Sequence, residues 1–443
     1  MIDMSLTNKR RSQMTSEERV RQFQIGLYRK AKQDKTFRFY VLYDKLSLNY
    51  MLKGAWKRVK ENKGAAGYDG MSIDDVEKYG VDKYLAEIAE EIRNETYKAS
   101  PVLRVYIPKA NGKMRPLGIP TVKDRIVQMS CKLVIEPIFE ADFQDCSHGF
   151  RPKRAAKDAI TSIKTQVISG RMRQVYDADL KGYFDNIPHD KLMKLIELRI
   201  SDKRILKLIR MWLKAPVFEN GKLTKSNKGT PQGGVISPLL ANIYLNLIDK
   251  AVSRKDGNFF KYGVRIVRYA DDFILMAQKI PQHCIDYLLK LLQRMELEVN
   301  QEKTRMVNVL DEPFDFLGFT FRYEKDLYGR NTKYLNIVPQ KKSEKAIRAK
   351  IKEHLRKNGH KNPTDLVKGL NPILYGWMNY YNIPKVSYPK VAKRKLRWYL
   401  CESLYRYYRR KSQRKSKLYR KNAFEVLTTK YGLVDPSKYS YAN

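Results

Sequence analysis

Tyr269-Ala270-Asp271-Asp272 sets two carboxylates side by side at the tip of a strand–turn–strand pattern, with Val264-Arg265-Ile266-Val267-Arg268 before it and Phe273-Ile274-Leu275-Met276 after it. Adjacent anions repel, and apolar flanks solvate them poorly, so such a pair is costly unless a cation neutralises it. Hard divalent metals take oxygen ligands, and two of them together can clamp the attacking and leaving oxygens of a phosphoryl transfer. A bare Asp-Asp is more often an ordinary hairpin turn. The flanking strands, and the partners found elsewhere in the chain, favour a metal site.

A two-metal site needs a further carboxylate from a neighbouring strand. Val175-Tyr176-Asp177-Ala178-Asp179-Leu180 offers two, and the strand period of two puts Asp177 and Asp179 on the same face, so spacing leaves both open. Lys181-Gly182-Tyr183-Phe184-Asp185 follows and places an aromatic five residues after Asp179. Gly229-Thr230-Pro231-Gln232-Gly233-Gly234-Val235-Ile236-Ser237-Pro238 is a stronger signal. Its paired glycines let another group approach the backbone, and the Gln232 amide can orient a base or sugar. The segment runs straight into the apolar helix start Leu239-Leu240-Ala241-Asn242-Ile243-Tyr244, which a mere surface linker has no reason to do. Lys63 to Gly70 is also glycine-rich, but it lacks the Gly-Lys-Ser/Thr ending and a feeding strand, so it is not a P-loop.

These residues need elements to hold them. Thr15-Ser16-Glu17-Glu18 predicts a capping box opening a basic helix through about Lys32, and a second helix covers Leu48 to Asn62. Strands are predicted at Val102–Ile107 and Met114–Ile119, joined by an Asn111-Gly112 hairpin turn. Apolar periodicity predicts helices over Asp124–Phe143, Asp190–Lys214 and Cys284–Glu298, with a strand at Gln174–Leu180. Beyond Lys341 the pattern is helical and basic. Between Lys385 and Lys421 there are 15 Lys/Arg and one acid, Glu402, interleaved with Trp398, Tyr399, Tyr405, Tyr407 and Tyr408. Like-charge repulsion along one helix calls for an anion to offset it.

Composition narrows the partner. A chain of 443 residues implies two or three domains, and a formal charge of +41 points to a polyanion, nucleic acid first. Thirty tyrosines beside so many cations suit phosphate contact with base stacking. No run is long and apolar enough to anchor in a membrane. Cys131, Cys146, Cys284 and Cys401 form no Cys-x-x-Cys pair, which predicts reduced thiols and a cytoplasmic setting, and the first residues lack a signal-peptide core.

Seven segments, in order, resemble the group II intron-encoded reverse transcriptases with their maturase domain. They are Lys109 to Thr121, His148-Gly149-Phe150-Arg151-Pro152, Asp179 to Asp185, Gly229 to Pro238, Tyr269 to Asp272, Val299-Asn300-Gln301-Glu302-Lys303-Thr304, and Phe316-Leu317-Gly318-Phe319. Gly376-Trp377-Met378-Asn379-Tyr380-Tyr381 resembles the maturase signature, and the likeness covers roughly residues 40–410. It implies an α+β right-hand polymerase, with fingers and palm built on antiparallel sheet and a helical thumb behind them. The corresponding ranges are a basic N-terminal extension at 1–45, fingers and palm at 46–325, a thumb or maturase domain at 335–410 and a basic tail at 411–443.

The resemblance also implies roles. Asp179, Asp271 and Asp272 are the metal-binding carboxylates for two Mg²⁺, with Asp177 the alternative that spacing leaves open. Lys109 and Arg115 bind the triphosphate, Phe184 is the steric gate against a ribose 2′-hydroxyl, Gln232 lies against the incoming nucleotide, and Lys303 protonates the leaving pyrophosphate. The implied partners are an RNA template or intron RNA, a DNA primer or target and dNTPs. Family members often continue into an endonuclease with Cys and His metal loops; nothing after Lys421 contains Cys or His, so no target cleavage is expected. A binding-only maturase, and a polymerase reused for repair or phage defence, stay open as alternatives.

Overall fold

The computed structural model describes residues 14–108, 112, 114–224, 228–231, 233–325, 332–411, 418, 419 and 421–440. They form two compact units. One takes in the described residues of Met1–Arg154, Ala178–Leu275 and Ile280–Thr304; the other takes in Ala155–Asp177, Met276–Lys279 and Arg305–Asn443. The division therefore passes within the 46–325 range.

In the first unit, helix α1 (Ser16–Gln33) opens on the Thr15/Glu18 capping box and α2 is Asn49–Glu61. Both pack on α5 (Val122–Glu140), which is buried along most of its length, its polar Asp124, Arg125, Gln128 and Ser130 included. A helix of that kind belongs at the centre of a unit. Between them lie α3 (Ile73–Tyr79) and α4 (Val81–Arg93). Strands β1 (Val102–Pro108) and β2 (Met114–Ile119) pair antiparallel, from Leu103 opposite Ile119 to Pro108 opposite Met114. Strand β4 (Val217–Glu219) joins β1 in parallel, and β5 (Lys222–Thr224) completes the order β2-β1-β4-β5. The predicted turn residue Asn111 lies outside the described residues.

The same unit holds α7 (Tyr183–Asn186), α8 (His189–Glu197), α9 (Lys203–Leu213), α10 (Ser237–Ser253) and α11 (Asn258–Lys261). Strands β6 (Arg265–Tyr269) and β7 (Asp272–Ala277) are hydrogen-bonded neighbours. Helix α12 is Gln282–Arg294, shorter than the predicted Cys284–Glu298. Its end is set locally: Glu296 turns left-handed at φ 53°, and Leu297 N–H bonds back to Leu292 C=O at 2.9 Å. Such a turn stops the helix while keeping Leu297 in the core.

In the second unit, α6 (Ala156–Ile168) precedes β3 (Gln174–Ala178), whose first four residues pair antiparallel with β8 (Arg305–Asn308). Strands β9 (Phe314–Phe316), β10 (Phe319–Lys325) and β11 (Lys333–Pro339) form an antiparallel sheet. Helices α13 (Lys341–Lys357), α14 (Pro363–Tyr381) and α15 (Lys390–Arg410) follow. The stretch read as a basic tail contains a fourth helix, α16 (Ala423–Tyr431), which seats Phe424 and Leu427 against α14 and α15. Charge counting hid those two apolar anchors.

Candidate active site

Asp271 sits in the turn between β6 and β7, half-buried, and Asp272 opens β7 with its side chain exposed. Ala270 before them adopts φ 58°, a left-handed conformation that costs a non-glycine residue free energy and persists only where the surroundings enforce it. The surroundings here are specific. Arg268 N–H bonds Cys146 C=O at 2.8 Å and His148 N–H bonds Arg268 C=O at 2.9 Å, which lays residues 146–148 along β6. Gly149 then lies so close to the turn that a Cβ there would run into the Ala270 amide.

Under the turn, the Arg268 side chain is fully buried and forked onto Asp249, equally buried, with N–O distances of 2.9 and 2.5 Å. Its remaining Nη1 donates to Asn242 Oδ1 and to the Ala270 carbonyl, both at 2.8 Å. Asn242 Nδ2 in turn donates to Gly149 C=O at 2.8 Å. A buried guanidinium is tolerated only when fully paired, and this one spends its protons bracing the residue before Asp271. Asn242, Asn246 and Asp249 fall on one stripe of the otherwise apolar α10. A buried acid on an apolar helix face is the signal that announces such a partner, and the motif reading passed over it.

Asp179 is held from the other side by residues 299–304. Asn300 N–H donates to the Asp179 carbonyl at 2.7 Å, and Leu180 bridges Val299. The Asp179 carboxylate accepts from Lys303 Nζ at 2.9 Å and from Asn300 Nδ2 at 3.3 Å, both on Oδ2. Asp177, the alternative that spacing left open, is placed differently: it pairs across the ladder with Arg305, whose Nε lies 3.9 Å from its Oδ2.

Phe184 projects from the short α7, half-buried, with the Phe150 ring edge-on at 6.4 Å. Its carbonyl accepts from Thr230 N–H at 2.7 Å, which ties the Gly-Thr-Pro loop to it. At the far end of that loop Gly233, at φ 113°, runs against the Gly118 carbonyl of β2, where a Cβ would collide. Gln128 of α5 accepts from Val235 N–H at 3.0 Å. The loop thus ties α7 to β2, the strand that carries Arg115. Lys109 and Gln232 lie outside the described residues.

The electrostatics join these pieces. Burial pushes the Asp271 carboxyl above the usual aspartate range, and the Asp179 carboxylate adds to the push; Arg115 and Arg268 pull the other way. Two carboxylates from separate segments therefore share one field with two cations, Arg115 and Arg268. Among the described residues no three His, Cys, Asp or Glu side chains form a ready-made metal cage. Magnesium does not ask for one: it is typically bound through one or two carboxylates with water and substrate phosphates filling the rest. The desolvated Asp271 carboxyl, with the Asp179 carboxylate acting on it, has the donor chemistry that fits such an ion.

Comparison with known proteins bears on the same residues. Residues 107–321 match the family described as reverse transcriptase (RNA-dependent DNA polymerase), and residues 344–424 match the group II intron, maturase-specific domain. Protein YkfC of Escherichia coli is 36% identical over 311 residues, 61% of this chain and 80% of that protein. The group II intron-encoded protein LtrA of Lactococcus lactis is 33% identical over 332 residues, 61% of this chain and 55% of LtrA. A 91 kDa protein in the cob intron of Schizosaccharomyces pombe is 28% identical over 406 residues, 74% of this chain. The matched part is 49% of that protein, so the chain spans about half the length of the two intron-encoded relatives.

Proposed function

The chain belongs to the group II intron-encoded reverse transcriptase and maturase family, and from that premise we propose that it extends a DNA primer on an RNA template, using the Asp179/Asp271 pair as its catalytic centre. The observation that carries this reading is the shared field of those two carboxylates, flanked by Arg115 and Lys303. A protein that only bound RNA would have no use for a desolvated anion next to a polyanion.

Asp179, Asp271 and Asp272 would hold two magnesium ions, which supply charge neutralisation for the attacking primer 3′-oxygen and the leaving pyrophosphate. The remaining work falls to the protein's own groups. Arg115, with Lys109, grips the triphosphate; a guanidinium can do so with two parallel hydrogen bonds. The Phe184 ring closes the space beside the sugar, and Gln232 orients the nucleotide. Lys303 Nζ carries a proton within reach of the site and can give it to the departing phosphate oxygen. The Arg268–Asp249–Asn242 network keeps Asp271 in place without reorganising during the reaction.

Fingers and palm at 46–325 and a thumb or maturase region at 335–410 are the organisation this reading uses, with 1–45 and 411–443 as flanking basic segments. Intron RNA is the proposed partner of the second region. The maturase-specific match and the exposed Arg397, Trp398 and Tyr405 of α15 support it. Among the described residues no helix is long and apolar enough to cross a membrane.

The test is primer extension on an RNA template across a magnesium titration, for the wild type and Asp271→Asn. Magnesium-dependent extension that the variant loses, with RNA affinity retained, is expected. A wild type that does not extend, or a variant that extends normally, refutes the reading.

A further inference from the structure

Phe184 belongs to α7, a helix of a single turn, too short to hold itself by its own hydrogen bonds. In a longer helix its carbonyl would accept from the amide four residues on, but that residue is Pro188, which has no N–H. Thr230 N–H takes that place, 2.7 Å from the Phe184 carbonyl oxygen. The other end of the same peptide group is engaged as well: Gly229 C=O lies 2.7 Å from His189 Nε2. A carbonyl oxygen can only accept, so Nε2 carries the proton and donates it. His189, Gly229 and Thr230 are all buried, so little water competes for either bond.

One peptide thus spans the gap between the first residue of α8 and the backbone of Phe184, and hydrogen bonds in such a series strengthen one another. The peptide is seated closely. Gly229 adopts φ 87°, and a Cβ there would run into the Asp185 carbonyl oxygen at 2.8 Å. Its own N–H donates to Ile187 C=O at 2.9 Å. We propose that His189 is a positioning residue for sugar selection: through the Gly229–Thr230 peptide it holds the backbone of Phe184, and with it the ring that discriminates against the 2′-hydroxyl. This rests on the reading of Phe184 as the gate. Without the imidazole, the buried Gly229 carbonyl has to find another donor, and turning the peptide toward water is the direct way to do so. The same turn draws Thr230 N–H off Phe184 and frees the gate to move.

The test compares the wild type with His189→Gln, His189→Leu and Gly229→Ala. A glutamine amide nitrogen stands as many bonds from Cβ as Nε2 does and can donate in its place; leucine keeps apolar bulk and cannot. Gly229→Ala disturbs the same peptide from its other side, so a His189→Leu chain that fails to fold leaves a second disruption to decide. Two measurements are made on each: hydrogen–deuterium exchange over residues 229–236, and single-nucleotide incorporation of dNTP and rNTP on an RNA template. His189→Leu and Gly229→Ala should speed exchange in that segment and lower the ratio of kcat/KM for dNTP over rNTP by about 3–10-fold, while His189→Gln keeps both near the wild type. A histidine that only supported the fold would shift the melting temperature without moving that ratio. Exchange unchanged in His189→Leu, a ratio unchanged in a variant whose exchange has risen, or a glutamine variant that behaves like leucine overturns the proposal. A wild type that does not extend at all refutes the proposal together with the polymerase reading, and the exchange data then tell that failure apart from a failure of the His189–Gly229 bond.

Discussion

Arg268 Nη1 lies 2.8 Å from the carbonyl oxygen of Ala270, one peptide before Asp271, while the same guanidinium is locked on the fully buried Asp249. The turn that carries Asp271 is thus tied to a helix through a charge pair that has no solvent to fall back on. Removing one member leaves the other buried and unpaired, which typically costs about 3–5 kcal/mol. Asp249→Asn should lower stability by an amount of that order in urea melts. Asp249→Leu combined with Arg268→Met should recover most of it while leaving primer extension strongly impaired. A double variant that is both stable and active would mean that the brace is dispensable for catalysis.

The raised Asp271 carboxyl has a consequence for metal-free stability. Because the folded protein keeps this proton to higher pH than the unfolded chain does, folding becomes less favourable as pH climbs from the unfolded value toward the folded one. The penalty is complete above that interval and absent below the ordinary aspartate range. Asp271→Asn, which cannot ionise, should therefore melt higher than the wild type at neutral pH without magnesium, by roughly 1–3 °C. The gap should close under acid conditions, and added magnesium should raise the wild type alone. Calorimetry at several pH values reads this directly.

Lys303 poses a contrast between stability and activity. Its ion pair with Asp179 is 2.9 Å long, yet the lysine side chain is 62% exposed, so solvent screens most of its worth. Lys303→Leu should change stability by less than about 1 kcal/mol. If the ammonium donates a proton to pyrophosphate, the same change should slow extension by about 10²–10⁴-fold, most strongly at high pH where other donors fail. A loss in melting temperature with little change in rate would reassign Lys303 to holding Asp179.

Much of this site was legible in the chain because its parts are local. The Asp-Asp turn is a two-residue event between two apolar strands, and the Thr15 capping box and the β1–β2 pair follow from near neighbours alone. What escaped is long-range. Nothing in residues 174–180 separates Asp177 from Asp179, since both share a face; what distinguishes their surroundings is Lys303 and Asn300, which reach Asp179 from more than a hundred residues away. Asp249 and Arg268 could each be read as a surface charge until the fold buried them together. The apolar anchors of α16 were masked by the basic residues around them.

The Phe184 ring meets Phe150 edge-on at 6.4 Å, and Phe150 is itself held at φ 57° with nearly half its surface exposed. The proposed gate role of Phe184 requires a ring that cannot swing away from the larger sugar, and the edge contact from Phe150 would act as a stop on that motion. Aromatic pairs of this geometry contribute roughly 0.5–1.5 kcal/mol beyond area burial. Phe184→Ala should admit ribonucleotides outright, seen as a collapse of the ratio of kcat/KM for dNTP over rNTP. Phe150→Leu keeps apolar bulk but loses the edge contact, so it should lower that ratio by only about 3–10-fold while dNTP incorporation stays near normal. Single-nucleotide incorporation kinetics on an RNA template separate the two cases. An unchanged ratio in Phe184→Ala would remove the gate assignment, and an unchanged ratio in Phe150→Leu alone would show that Phe184 holds its position without that neighbour.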